Sequence, residues 1–133
     1  MRSGSPRHEP AEAQVLAGHG GPALPSLVGP GGRAWAVVWP GVGAQLRSMH
    51  RIALDAGGET RLLRHPGEAV YYVIRGEGIV EEPEAGSAND LGEGSMVHVE
   101  PETPYLMRAG AGTLELIGGP SPADPRLYED QRG

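Results

Sequence analysis

GGETRLLRHPGEAVYYVIRGEG, residues Gly57 to Gly78, is the stretch whose reading decides the fold. Its second half, Ala69 to Arg75, is a β-branched and aromatic run closed by Gly76 and Gly78, which predicts a strand ending in a tight turn. Asp55-Ala-Gly-Gly ahead of it predicts one turn and Pro66-Gly67 a second, with a strand through Leu63 and His65 between them.

Outward from there, short apolar runs alternate with breakers. Ala34 to Trp39 reads as a strand with Trp35, Val37 and Trp39 on one face, stopped by Pro40-Gly41. Ser48 to Leu54 alternates so that His50, Ile52 and Leu54 share a face, and the aliphatic members should carry His50 into the core. Met96 to Val99 and Tyr105 to Arg108 read as a hairpin, and Thr113 to Ile117 as a returning strand, with a loop over 82–90. Gly and Pro recur too often between Gly18 and Gly32 for a helix, so an irregular segment hugging the surface is expected. Residues 1–12 and 121–133 read as flexible tails around one domain over 13–120.

Composition supports this reading. A chain of 133 residues can bury one core, and 22 Gly and 13 Pro among short apolar runs suit an all-β sandwich or barrel. The net charge of −6, with acidic residues gathered between Glu77 and Glu102, argues against a nucleic-acid surface, which needs clustered Lys and Arg. The acidic cluster itself reads as a solvated loop. Without Cys there are no disulfides or thiolate sites, and neither a signal peptide nor a membrane span is indicated, so a cytoplasmic protein is expected.

The glycine-framed block, together with GEGSMVHVEPETPYLMRAG from Gly92 onward, resembles the cupin family. That family's first motif is G-x5-H-x-H-x3 or 4-E-x6-G, and its second is G-x5-P-x-G-x2-H-x3-N. Counted from Gly57, the first motif falls on Leu63, His65, Ala69 and Gly76; counted from Gly94, the second falls on Glu100, Glu102, Tyr105 and Ala109. The resemblance covers roughly residues 46 to 118. It implies a cupin-type double-stranded jelly-roll barrel, often dimeric, with Leu63, His65, Ala69, Tyr71 and Val73 lining its interior. Of the family's four metal ligands only His65 remains. Such a fold hosts many unrelated activities, so function must come from the site.

Leu63 and Ala69 carry no donor atom, and Tyr105 would ligate only as a phenolate. No cofactor is therefore expected; a divalent metal would need a displaced set drawn from His65, His50 and His98. On its strand, His98 competes with Val97 and Val99 for the inner face. Glu68 stands one residue before the family's glutamate, and a one-residue slip turns it to the opposite face. Arg51, Arg61, Arg64, Arg75 and Arg108 flank the motif strands, and any that faced inward would suit a carboxylate or phosphate.

Without a metal, His65 and Tyr105 are the candidate catalytic pair, since an imidazole titrating near neutrality serves as acid or base. His50, Leu63, Ala69, Tyr71 and Met107 are the candidate ligand-pocket residues, with Trp35 and Trp39 as further flat walls. Loss of two polar ligands favours an apolar small molecule. The leading expectation is a small-molecule-binding cupin, a metal-independent cyclase or isomerase of a biosynthetic pathway. The alternatives are a non-catalytic ligand-binding or accessory cupin, and a metal-dependent cupin oxygenase or isomerase using the displaced histidines. A homodimer is the expected assembly.

Overall fold

The computed structural model describes residues 13–18 and 20–131. The expected N-terminal tail, residues 1–12, lies outside the described residues. The described chain is all-β around one core, with strands β1 (Gly32–Val38), β2 (Met49–Leu54), β3 (Glu68–Glu82), β4 (Ser87–Leu91), β5 (Met96–Val99) and β6 (Leu106–Ser121). All pairings are antiparallel, in the order β1-β2-β6-β3-β4, and β5 adds to β3 beside β4. Pro25–Leu27, within the segment expected to be irregular, forms a 3-10 turn that buries Leu27, and Pro40–Val42 forms another where β1 was expected to stop.

β3 and β6 differ most from expectation. Gly76 and Gly78 do not end the strand; β3 runs on to Glu82 beside one continuous β6, with register shifts between Val73 and Arg75 and between Gly76 and Gly78. Glycine is needed here for curvature rather than reversal. Gly76 has φ 94°, and a Cβ on it would stand 2.0 Å from the Thr113 carbonyl oxygen. The reversal comes later, in a turn at Glu82–Gly86, and Ser87–Leu91 pairs back on β3 instead of forming a loop.

The expected hairpin of 96–99 with 105–108 does not form, because both segments pair with β3 instead. Val97 and Val99 take the inner face, which fixes β5 in register against Ala69 to Tyr72 and turns Met96 and His98 outward. The expected strand through Leu63 and His65 is reduced to isolated bridges, including Leu63 with Tyr105. In β1, Ala34 and Ala36 fill the interior, while Trp35 lies on the other face and bridges Ala23. Trp35 is therefore not an interior wall. Trp39 packs on Tyr128, with ring centroids 5.2 Å apart.

Of residues 121–133, expected as a flexible tail, 121–131 are bound to the barrel, Ser121 as the last residue of β6, and 132–133 lie outside the described residues. Pro125–Gln131 is a 3-10 helix whose Leu127 and Tyr128 are buried in the main core. Burying one such apolar side chain contributes about 1.5–3 kcal/mol, which offsets part of the cost of ordering the segment, and its hydrogen bonds to the barrel add to this.

Candidate functional site

β2 and β3 begin, and β5 and β6 finish, at one end of the barrel, and the polar interior lies there. Tyr71 and His50 both pair in register with Gly118 of β6, which places them at the same level on the two strands that flank β6. Period-two alternation turns Ala69, Tyr71 and Val73 inward and leaves Tyr72 43% exposed. Tyr105 is fixed by reciprocal backbone hydrogen bonds with Leu63 at 2.8 and 2.9 Å. His65 follows two residues after Leu63 and is held by its carbonyl, which accepts from the Glu102 N–H at 2.7 Å.

Four side chains then form a continuous chain. His65 Nδ1 lies 2.9 Å from Asp124 Oδ2, His65 Nε2 lies 2.8 Å from the Tyr105 hydroxyl, and that hydroxyl lies 2.6 Å from the Tyr71 hydroxyl. Burial pulls the His65 imidazole below its usual value, partly offset by Asp124, so the ring is neutral at neutral pH. Burial disfavours ionisation of Asp124, but hydrogen bonds from Arg126 and His65 outweigh it and hold the carboxyl below its usual range. A neutral ring beside a carboxylate must keep its one proton on Nδ1. His65 therefore donates to Asp124, Nε2 accepts from Tyr105, and Tyr105 in turn accepts from Tyr71. Both phenols are pushed up by burial and stay protonated.

A second cluster adjoins the first. His50 Nε2 lies 2.6 Å from the Tyr128 hydroxyl, while Ser48 Oγ donates to the Pro120 carbonyl at 2.7 Å. Burial, with His65 adding to it, lowers the His50 imidazole to about 4, and burial raises Tyr128 to about 12. His50 Nδ1 is buried without a hydrogen-bond partner. It lies against Gly119, where a Cβ would come within 3.0 Å of it. Leaving a buried polar atom unsatisfied costs about 1–3 kcal/mol.

The expected site residues His65, Tyr105, His50, Leu63, Ala69, Tyr71 and Met107 are all buried inside the barrel. The surroundings of His65 are more polar than expected, because the C-terminal segment supplies Asp124 and Tyr128. Neither was anticipated. They lie in a Gly-, Pro- and acid-rich stretch without periodicity, where Asp124-Pro125 signals only a turn and Leu127-Tyr128 is the single apolar pair. The arginines flanking the motif strands make outer contacts: Arg51 with Glu115 at 3.1 Å, Arg64 with Glu102 at 2.9 Å, Arg108 with Glu81 at 3.1 Å.

The metal set implied by the resemblance does not assemble. Leu63 and Ala69 offer no donor, and both nitrogens of His65 are engaged. The displaced set is also not brought together: His98 lies on the outer face, paired with Glu68, and both are more than half exposed. Among the described residues no three His, Cys, Asp or Glu side chains are grouped to hold an ion. No helix among the described residues is long and apolar enough to cross a membrane.

Residues 50–117 match the family model for the cupin domain. No curated protein matches the chain. Among solved structures, the polyketide cyclase RemF from Streptomyces resistomycificus aligns with a TM-score of 0.70 at 16% identity, over 86% of this chain and 82% of that one. KdgF from Halomonas sp. aligns at 0.68 and 19% identity, over 87% and 99%. An RmlC-like cupin from Shewanella frigidimarina NCIMB 400 aligns at 0.61 and 25% identity, over 77% and 83%. With a motif frame, a barrel and a family match over half of its length, this chain belongs to the cupin domain family.

Proposed function

We propose that the protein binds a small organic molecule in the polar end of its barrel and promotes a metal-independent cyclisation or isomerisation, with His65 and Tyr105 moving protons. The observation that carries this reading is the ordered chain Asp124–His65–Tyr105–Tyr71. In it the His65 Nε2 lone pair accepts the Tyr105 hydroxyl proton, so the two groups act as one relay. As the Tyr105 oxygen takes a proton from carbon beside a carbonyl, its own proton passes to Nε2, and the reverse transfer returns a proton elsewhere on the same molecule. Bonds shift within the substrate, protons balance, and no electrons are gained or lost. In the closed chain the Asp124 carboxylate orients the imidazole, and the carboxylate that sits on Nδ1 during turnover stabilises its protonated form, as a carboxylate behind a histidine does in other proton-transfer sites. The name of RemF, a polyketide cyclase, accords with this reaction class.

The test is deuterium uptake at the α-carbon of an aryl methyl ketone in D2O, followed by NMR. The native chain is expected to exceed the buffer rate, and His65→Ala and Tyr105→Phe to return to it. Undiminished uptake in His65→Ala would remove the proposed role of the imidazole. A second reading, a binding module without turnover, is favoured by the near-complete burial of the chain, with His65 3% and Tyr105 0% exposed. It predicts ligand binding with uptake at the buffer rate in every variant.

A further inference from the structure

We infer that the C-terminal segment, residues 121–131, is a displaceable internal stand-in for the ligand, and that the ligand is an aromatic molecule bearing a carboxylate and a hydroxyl. The inference deepens the proposed function and shares its premise that the polar end of the barrel is the ligand site. Both inward histidines find a side-chain partner in one five-residue stretch of this segment. Asp124 brings a carboxylate to His65, and Tyr128 brings an aromatic hydroxyl to His50. The chain thus satisfies its own site with the two groups that a hydroxyaryl carboxylate would present.

Two further observations mark the segment as replaceable. Past Ser121, which closes β6, it pairs with no strand, and besides its contacts with the two histidines it is held by Leu127 and Tyr128 in the core, Ser26 Oγ on the Leu127 carbonyl at 2.8 Å, and Arg126 on the Arg64 carbonyl at 2.7 Å. It also leaves His50 Nδ1 without a partner, so the closed arrangement does not exhaust what the site offers. His50 and His65 are buried, each with a hydrogen bond into this segment, so a ligand that took either histidine's partner would displace it.

If opening is the unfavourable step, loosening the segment without touching the histidines raises apparent affinity by the gain in open population. The probe is 4-hydroxycinnamate, with cinnamate and methyl 4-hydroxycinnamate as controls lacking one group each. Binding to the full chain is measured by calorimetry, and amide hydrogen exchange is followed over 121–131. Leu127→Ala withdraws a core anchor. Arg126→Ala withdraws an exposed one and guards against misfolding of the first. The expected results are at least tenfold tighter binding in Leu127→Ala, a smaller gain in Arg126→Ala, at least tenfold weaker binding of each control, and loss of exchange protection in the segment on binding. Unchanged affinity in both variants overturns the inference, as does binding with the segment still protected. Displacement of the segment without α-carbon exchange would defeat the proposed catalysis while this inference stands; exchange catalysis beneath a segment that stays protected would do the reverse.

Discussion

Removing the imidazole of His65 leaves the Asp124 carboxylate and the Tyr105 hydroxyl facing a void in the barrel. His65→Ala is expected to lower unfolding free energy by about 2–4 kcal/mol, from the cavity left behind and the hydrogen bonds lost at Asp124 and Tyr105. Arg64→Ala, which breaks an exposed pair with Glu102, should cost less than about 1 kcal/mol. Urea unfolding of the two variants side by side checks the contrast, and equal losses would contradict the assigned burial. His50 predicts a pH effect. Its folded-state value of about 4 lies below the ordinary 6.5, so the unfolded chain binds a proton more readily between the two. Stability contributed by the neutral ring is complete above pH 6.5 and declines as pH falls toward 4, by about 3 kcal/mol in all. His65, also lowered, acts in the same direction. A urea midpoint independent of pH from 7.5 to 4.5 would refute this. His65 and Tyr105 were legible from motif spacing because the glycine frame fixes the count. Asp124 and Tyr128 were not, because their placement depends on where a strandless segment lands in three dimensions.

At the scale of elements, the strand runs were legible and their joins were not. Alternation in Met49–Leu54 and Ala69–Val73 fixed which side chains face inward, since a slip by one residue would expose every apolar member. Glycines were ambiguous, because the same freedom that makes a turn also permits a bend within a continuous strand. Gly76→Ala separates these roles. A turn glycine in open space would tolerate a methyl group with only backbone strain, but at Gly76 the new Cβ meets the Thr113 carbonyl inside the β3–β6 pairing. The expected loss exceeds about 2 kcal/mol, from positive-φ strain combined with displacement of the paired strand. Gly86→Ala, also at positive φ but with nothing near its Cβ, should lose about 1 kcal/mol. Thermal unfolding of the two variants reads the difference, and equal midpoints would argue against curvature at Gly76.

For the whole molecule, the all-β class followed from the density of breakers and the shortness of the apolar runs, and the barrel from the motif frame. What the frame did not contain was the covering of the barrel's polar end by residues beyond β6. Because the donor set for an ion does not assemble, dialysis against a strong chelator is expected to leave the thermal midpoint unchanged, and added zinc or manganese to raise it by less than about 1 °C, since only a ligand bound to the native state shifts it appreciably. A rise of several degrees with either ion would show a native-state site that the described side chains do not form. The strand order carries one more consequence, concerning synthesis. β6 lies between β2 and β3 yet is the last strand of the sheet to leave the ribosome. Until it arrives, β2 and β3 each present an unpaired edge, and nascent chains halted before Leu106 should be the ones that chaperones hold and aggregates recruit.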